Sequence, residues 1–328
     1  MFRLGIMAKL PIRSTRPQAR TCLIDAPRAY TLEICGNSQR GPVKLTPPVL
    51  AFRAPASVPM QFSLWQIAVL AVVQGVTEFL PVSSDGHLVL VRPLLFPSGD
   101  APKEAMDLTI ALHLGTLGSI VVYYFRRIVQ LMSEDRRVIG LIGVGTLPAV
   151  FIVFVCKMLL GKRFEPILQS ELLAGLMLPV TGAIVLWAMR RPTGTRDYRE
   201  LSWREAIWIG ICQATAILPG LSRSGTTIGA GLGLGLQRFS AATFSFLLAI
   251  PALAGAGLYE AWSLVREPHP LSAEPAHLAI GAVISFAVGL AAIWSLERLL
   301  ARGQLQWLAW YCIVLGVAVV AWKLAAPT

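Results

Sequence analysis

The chain has 328 residues, 55% of them hydrophobic and 14% charged, with a mean hydropathy of +0.63. A soluble domain carries roughly a quarter charged residues, so composition excludes an ordinary soluble fold and points to a polytopic membrane protein. The net charge of +11 is not a nucleic-acid footprint, because +7 of it falls in residues 1–59, where nine Lys/Arg face Asp25 and Glu33.

Residues 1–59 differ from the rest. They are rich in Arg, Pro and Ser, lack sustained periodicity and contain no long apolar core of a signal peptide. They read either as a disordered tail or as translation upstream of a true start at Met60. Residues 60–323 read as one membrane domain. It opens, over residues 63–91, with an apolar run interrupted by a polar centre, QGVTEFLPVSSDGH at 74–87, after which apolar residues resume. Neither arm is a clean span of about 20 residues. A re-entrant helical hairpin is predicted, a shape tolerated only where protein covers it or a cavity adjoins it.

Three spans follow, at about Met106–Phe125, Val138–Leu160 and Leu172–Met189. A second irregular stretch covers 206–237, centred on ILPGLSRSGTT at 217–227. Spans at about Ala241–Trp262, His277–Leu296 and Leu305–Ala321 close the chain. Links with Arg126, Arg127, Arg136 and Arg137, with Arg190, Arg191, Arg196, Arg199 and Arg204, and with Arg298 and Arg302 are expected in the cytoplasm. Links with Lys162 and Arg163, and with Arg266, are expected outside. Trp187, Trp262 and Trp307 read as interface anchors. The five cysteines, Cys22, Cys35, Cys156, Cys212 and Cys312, are scattered without CxxC and read as small apolar residues.

Each half thus holds one polar hairpin and three spans, repeat one at about 62–190 and repeat two at about 205–323. The centres LPVSSDG (80–86) and LPGLSRSG (218–225) rhyme. Three is odd, so the second repeat is inverted and the hairpins enter from opposite sides, the first from outside. The expected fold is all-α, with six transmembrane helices and two re-entrant hairpins in an inverted repeat meeting near the midplane.

The first centre offers acid–base and ligand chemistry. An ionisable residue at membrane depth is a functional candidate by default. Gln74 and Glu78 share a helix face. Glu78 suits a divalent cation, acid–base work or an arginine pair, and Gln74 offers only a neutral oxygen. Ser83 and Ser84 carry hydroxyls that either react or cap a helix. Asp85 reads as a metal ligand or a turn residue, and His87 as a proton carrier near neutrality. The second centre is an anion cradle. Arg223 presents a donor fork matched to phosphate, beside the hydroxyls of Ser222, Ser224 and Thr227. His113, in ALHLGT, faces either the site or a neighbouring helix. Gly225 and Gly229 read as packing glycines, not a nucleotide fingerprint. Together the centres suit phosphoryl transfer on a lipid phosphate; an anion or lipid-phosphate transporter is the alternative from composition alone.

The blocks QGVTEFLPVSSDGHLVL, LHLGTLGS, LPGLSRSGTTIGAGLGLG and FSFLLAIPALAGA, in that order, resemble the BacA/UppP undecaprenyl-diphosphate phosphatases over about residues 62–321. The resemblance implies hydrolysis of undecaprenyl diphosphate to the monophosphate and inorganic phosphate, which recycles the lipid carrier for peptidoglycan. It implies bacitracin resistance, since that antibiotic competes for the substrate without needing to bind the protein. It also implies a divalent cation, Mg or Ca, a homodimer, and a multi-pass place in the bacterial cytoplasmic membrane with the site opening to the periplasm. The family's second motif carboxylate falls on Glu78 and its first on Gln74, a variant of the usual Glu. Its proposed nucleophile falls on Ser84, its histidine on His87 and its phosphate-binding arginine on Arg223, with Ser222 and Thr227 alongside. Asp85 departs from the usual Ser or Thr and adds negative charge. On this resemblance, the expected mechanism has Arg223 and a cation on Glu78 holding the diphosphate, Ser84 or water attacking, and His87 moving the proton, oriented by Glu78. Another lipid-phosphatase superfamily, marked by PSGH and then SR with H-x-x-x-D, is not matched.

Overall fold

The computed structural model describes residues 62–96, 106–266 and 271–325. The expectations for residues 1–59 and Met60 lie outside the described residues. Among those described there is no strand, only an isolated bridge between Arg196 and Leu236.

The first hairpin is α1 (Leu64–Thr77) and α2 (Ser84–Leu95). A capping box starts α1, with Gln66 three residues beyond Ser63. After it come α3 (Met106–Tyr123), α4 (Phe125–Ser133), α5 (Arg136–Leu160), the short α6 (Phe164–Leu168) and α7 (Glu171–Met189). The second hairpin is α8 (Trp203–Thr215) and α9 (Arg223–Gly233), followed by α10 (Arg238–Arg266), α11 (Pro275–Arg302) and α12 (Gln306–Ala325). Five helices, α5, α7, α10, α11 and α12, are long and apolar enough to cross a membrane, and α3 with α4 as a bent pair makes six. Phe151, Phe154, Val283 and Val314 are 65–66% exposed, the outward apolar surface that lipid requires. Trp187 and Trp262 are exposed too, each under an arginine, Arg191 at 4.6 Å and Arg266 at 4.8 Å, as interface anchors would be.

One link departs from expectation. The stretch after the first span is a helix, α4, turned 66° from α3. The break falls at Tyr124, whose backbone leaves helical geometry at φ −98°, ψ 16°. Tyr123 and Tyr124 both donate hydroxyl hydrogen bonds to Glu297 of α11, at 2.8 and 2.9 Å. Helix α4 then turns Phe125, Val129 and Met132 outward beside exposed Arg126 and Arg127. A window long enough to detect spans averages such a short amphipathic helix into a polar link.

Tied ends give the two sides. Arg137, starting α5, donates to the carbonyls of Arg199 and Leu201 ahead of α8, at 2.7 and 2.6 Å. Arg238, starting α10, donates to Leu300 near the end of α11. These ends share one arginine-rich side. On the opposite side, Phe62 ahead of α1 donates to the Ser272 carbonyl, and the Ser272 amide donates to Asp107 of α3. Lys323 of α12 pairs with Glu171 of α7 there. The hairpins therefore enter from opposite sides, as the odd number of spans requires. Helix α1 has 14 residues and α8 has 13, about 20 Å each at 1.5 Å per residue. Two such arms overlap at the middle of a core about 30 Å thick.

Packing crosses between the repeats. The entering arm of each hairpin packs on the second span of the other repeat, α1 on α11 and α8 on α5. Both contacts need small residues. A Cβ on Gly210 of α8 would sit 2.0 Å from the Gly145 carbonyl of α5, and one on Gly75 of α1 would sit 2.8 Å from Val288 of α11. Lipid supplies no hydrophobic drive between helices, so close backbone approach holds them together. Third spans α7 and α12 pair with each other across the same pseudo-twofold arrangement.

Candidate active site

The site lies where the two hairpin tips interlock. Pro81 cannot continue α1, and the chain turns over residues 78–83. Ser83 has φ +72°, the only positive φ outside glycine among the described residues. Its hydroxyl accepts from the Gly86 amide at 3.3 Å and from the Gly220 amide of the other tip at 3.1 Å. Gly220, at φ +90°, presses so close that a Cβ on Gly86 would lie 2.8 Å from its Cα. Thr181 of α7 locks the second tip, donating to the Gly220 carbonyl at 2.8 Å and accepting from the Ser222 amide at 2.9 Å. Ser224 donates to the Leu80 carbonyl at 3.1 Å.

This docking brings two distant residues together. Glu78 is 6% exposed and forms an ion pair with Arg223 through Oε1. Its Oε2 accepts from Ser84 Oγ at 2.7 Å and from Gln74 Nε2 at 3.0 Å. Arg223 uses Nη2 on Glu78, and its buried Nη1 has no partner. Gln74 Oε1 is also buried and unpartnered. A buried, unsatisfied guanidinium nitrogen is costly, so both atoms are open to a further hydrogen-bonding partner.

Glu78, Ser84, Arg223 and Gln74 thus form one cluster. Asp85 lies in the first turn of α2 with its side chain exposed. His113 Nδ1 lies 2.9 Å from the Thr109 carbonyl one turn back in its own helix. The other hydroxyls are engaged locally. Ser222 caps α9 by accepting from the Gly225 amide at 3.1 Å, and it bonds Ser224 at 3.1 Å. Thr227 donates to the Arg223 carbonyl at 2.8 Å and meets Ser245 of α10 at 2.6 Å. Gly225 and Gly229 lie against Pro81 and Ile184, as packing glycines do.

His87 is held differently from expectation. Its Nδ1 lies 2.7 Å from the Ser83 carbonyl and its Nε2 lies 2.8 Å from the Tyr311 hydroxyl of α12. The hydroxyl that bonds Glu78 is that of Ser84, so Glu78 does not orient the histidine. Thr181, Ser245 and Tyr311 escaped sequence reasoning. Each is a lone polar residue in an apolar span, a pattern common to packing positions and interface anchors.

Among the described residues, no group of three or more His, Cys, Asp or Glu could hold a metal by itself. Glu78 and the unpartnered Gln74 Oε1 offer oxygens within one cluster, with the Asp85 carboxylate on the first turn of α2; Mg or Ca, where bound by such groups, commonly completes its shell with water and substrate phosphate. One arginine among two carboxylates would also leave a bound diphosphate short of positive charge.

A family model described as "Bacitracin resistance protein BacA" matches residues 67–318. A protein of Rhodopirellula baltica named undecaprenyl-diphosphatase is 45% identical over 257 residues, covering 78% of this chain and 97% of that protein. Proteins of the same name from Mycobacterium leprae and Mycobacterium tuberculosis are 39% and 38% identical, each covering 79% of this chain and 94% of the relative.

Proposed function

The chain belongs to the BacA bacitracin resistance family, and from that premise we infer that its interlocked tips hydrolyse undecaprenyl diphosphate to undecaprenyl phosphate and inorganic phosphate. The observation that carries this reading is the Arg223 guanidinium, with Nη2 committed to Glu78 and Nη1 buried and unpartnered. The free nitrogen takes an oxygen of the terminal phosphate, and the committed one keeps the fork rigid. Ser84 Oγ attacks the terminal phosphorus and passes its proton to Glu78 Oε2, already at 2.7 Å. The Oγ–P bond forms as the bond to the bridging oxygen breaks, and undecaprenyl phosphate leaves. Water then cleaves the phosphoserine, with His87, one turn from Ser84 along α2, moving the proton.

Glu78, with Gln74 Oε1 and Asp85, would hold a divalent cation, Mg or Ca. When bound, it offsets charge on the phosphate oxygens. Thr227, Ser222 and Ser224 shape the cradle through the start of α9, while Ser83 joins the tips.

The arginine-rich ends are assigned to the cytoplasm. The first hairpin then enters from the periplasm of a cytoplasmic membrane and the site opens there. Bacitracin resistance follows from competition for the lipid substrate. Self-association as a homodimer rests on the family resemblance, and light scattering of the detergent complex tests it. A transporter would need the cradle but not a serine hydroxyl bonded to a carboxylate.

The test is phosphate release from undecaprenyl diphosphate by purified protein, with and without a chelator. Chelator-sensitive release that disappears in Ser84→Ala supports the reading. No release under several cations from folded protein overturns it.

A further inference from the structure

We propose that Tyr311 is a positioning residue for His87, fixing both the tautomer and the plane of the catalytic ring. The inference rests on the hydrolase reading above and deepens it. A carbonyl oxygen only accepts, so the 2.7 Å contact to Ser83 requires a proton on His87 Nδ1. In the neutral ring the lone pair is then on Nε2, and the Tyr311 hydroxyl at 2.8 Å donates to it. The two rings stack, with centroids 5.7 Å apart and planes 18° from parallel. Two hydrogen bonds and one stacking contact thus hold a ring that is 8% exposed.

The neighbours of Tyr311 make this more than a passing contact. Cys312, the next residue, approaches the Pro81 carbonyl at 3.7 Å, so α12 touches the first tip on both sides of its turn. The same helix packs along α7, whose Thr181 locks the second tip. Helix α12 therefore registers His87 against both hairpins. Tyr311 lies on the span α12, and its hydroxyl caps the Nε2 edge of the buried ring. Without the phenol, the ring loses the hydrogen bond at Nε2 and keeps the one from Nδ1 to the Ser83 carbonyl.

The test is Tyr311→Phe, which keeps the ring stack and removes one hydroxyl. With purified full-length protein and undecaprenyl diphosphate, kcat is expected to fall about tenfold and KM to stay within about twofold, since misorientation acts on the chemical step. The decisive comparison is with His87→Gln and the double variant. If Tyr311 acts through His87, the double variant loses no more than about twofold beyond His87→Gln. A Tyr311→Phe kcat above half of wild type, or losses that multiply in the double variant, would overturn the proposal.

A second readout does not need turnover. In protein labelled with 15N-histidine, the His87 nitrogens are assigned by their loss in His87→Gln. Wild type should show a protonated Nδ1 and a hydrogen-bonded, unprotonated Nε2. Tyr311→Phe should shift Nε2 or mix the tautomers, and an unchanged Nε2 resonance would overturn the proposal. Failure of wild type to release phosphate would instead sink the hydrolase reading and leave this spectroscopic test standing.

Discussion

Arg223→Lys isolates the division of labour inside one guanidinium. Arg223 places one nitrogen on Glu78 and leaves a second, buried and unpartnered, for a phosphate oxygen. Lysine has a single nitrogen and no fork. Glu78 is 6% exposed and needs its cation, so the lysine should stay on the carboxylate and forsake the phosphate. Losing one preorganised donor to developing charge costs about 10²–10³ in kcat, or about 2.7–4 kcal/mol of barrier. The fold should hold, because the ion pair survives. Arg223→Ala should behave differently, leaving a buried carboxylate unpaired at about 3–5 kcal/mol and lowering the thermal midpoint as well. The assay is phosphate release at saturating substrate, with thermal unfolding of each detergent-purified variant. A lysine variant within about tenfold of wild-type kcat, or an alanine variant that melts with the lysine one, would refute this account.

Adjacent serines should separate cleanly. Ser83→Ala removes an acceptor shared by the Gly86 and Gly220 amides, so it should destabilise by about 1–3 kcal/mol in thermal unfolding while folded protein keeps most of its kcat. Ser84→Ala should reverse the pattern, with phosphate release lost and the midpoint kept. Gln74→Glu adds a further carboxylate where an unpartnered oxygen now lies; the Mg concentration for half-maximal phosphate release should fall about tenfold, equal to about 1.4 kcal/mol, and a rise would argue against a cation there. At the arginine-rich edge, the Arg196 hydrogen bonds hold Glu205 down to about 2 from 4.5. A carboxyl with a depressed folded pKa contributes stability above its unfolded value, and that contribution is lost as pH falls from about 4.5 towards 2. Arg196 is 36% exposed and Glu205 21%, so screening limits the effect to less than about 1 kcal/mol. Acid unfolding of Arg196→Ala should be flatter than wild type across that window.

Apolar length and arginine placement were enough to read a membrane domain of paired, inverted halves from the sequence, because span length and charge bias are local properties of the chain. The prolines at 81 and 219 located both hairpin turns for the same reason. Chemistry-bearing residues stood out as polar groups in apolar surroundings, and Glu78, Ser84 and Arg223 do meet. Their partners did not stand out. That Ser83 joins the tips, that Arg223 divides its nitrogens, and that Tyr311 rather than Glu78 holds His87 depend on atoms 137, 145 and 224 positions apart in the chain. At the α4 bend, likewise, Tyr124 bonds Glu297, which lies 173 residues away. Hydrogen bonds act over about 3 Å, so a side chain's partner is decided by which helices pack together. A tyrosine five residues into the last helix reads the same whether it faces lipid or a histidine until α12 lies against the first hairpin.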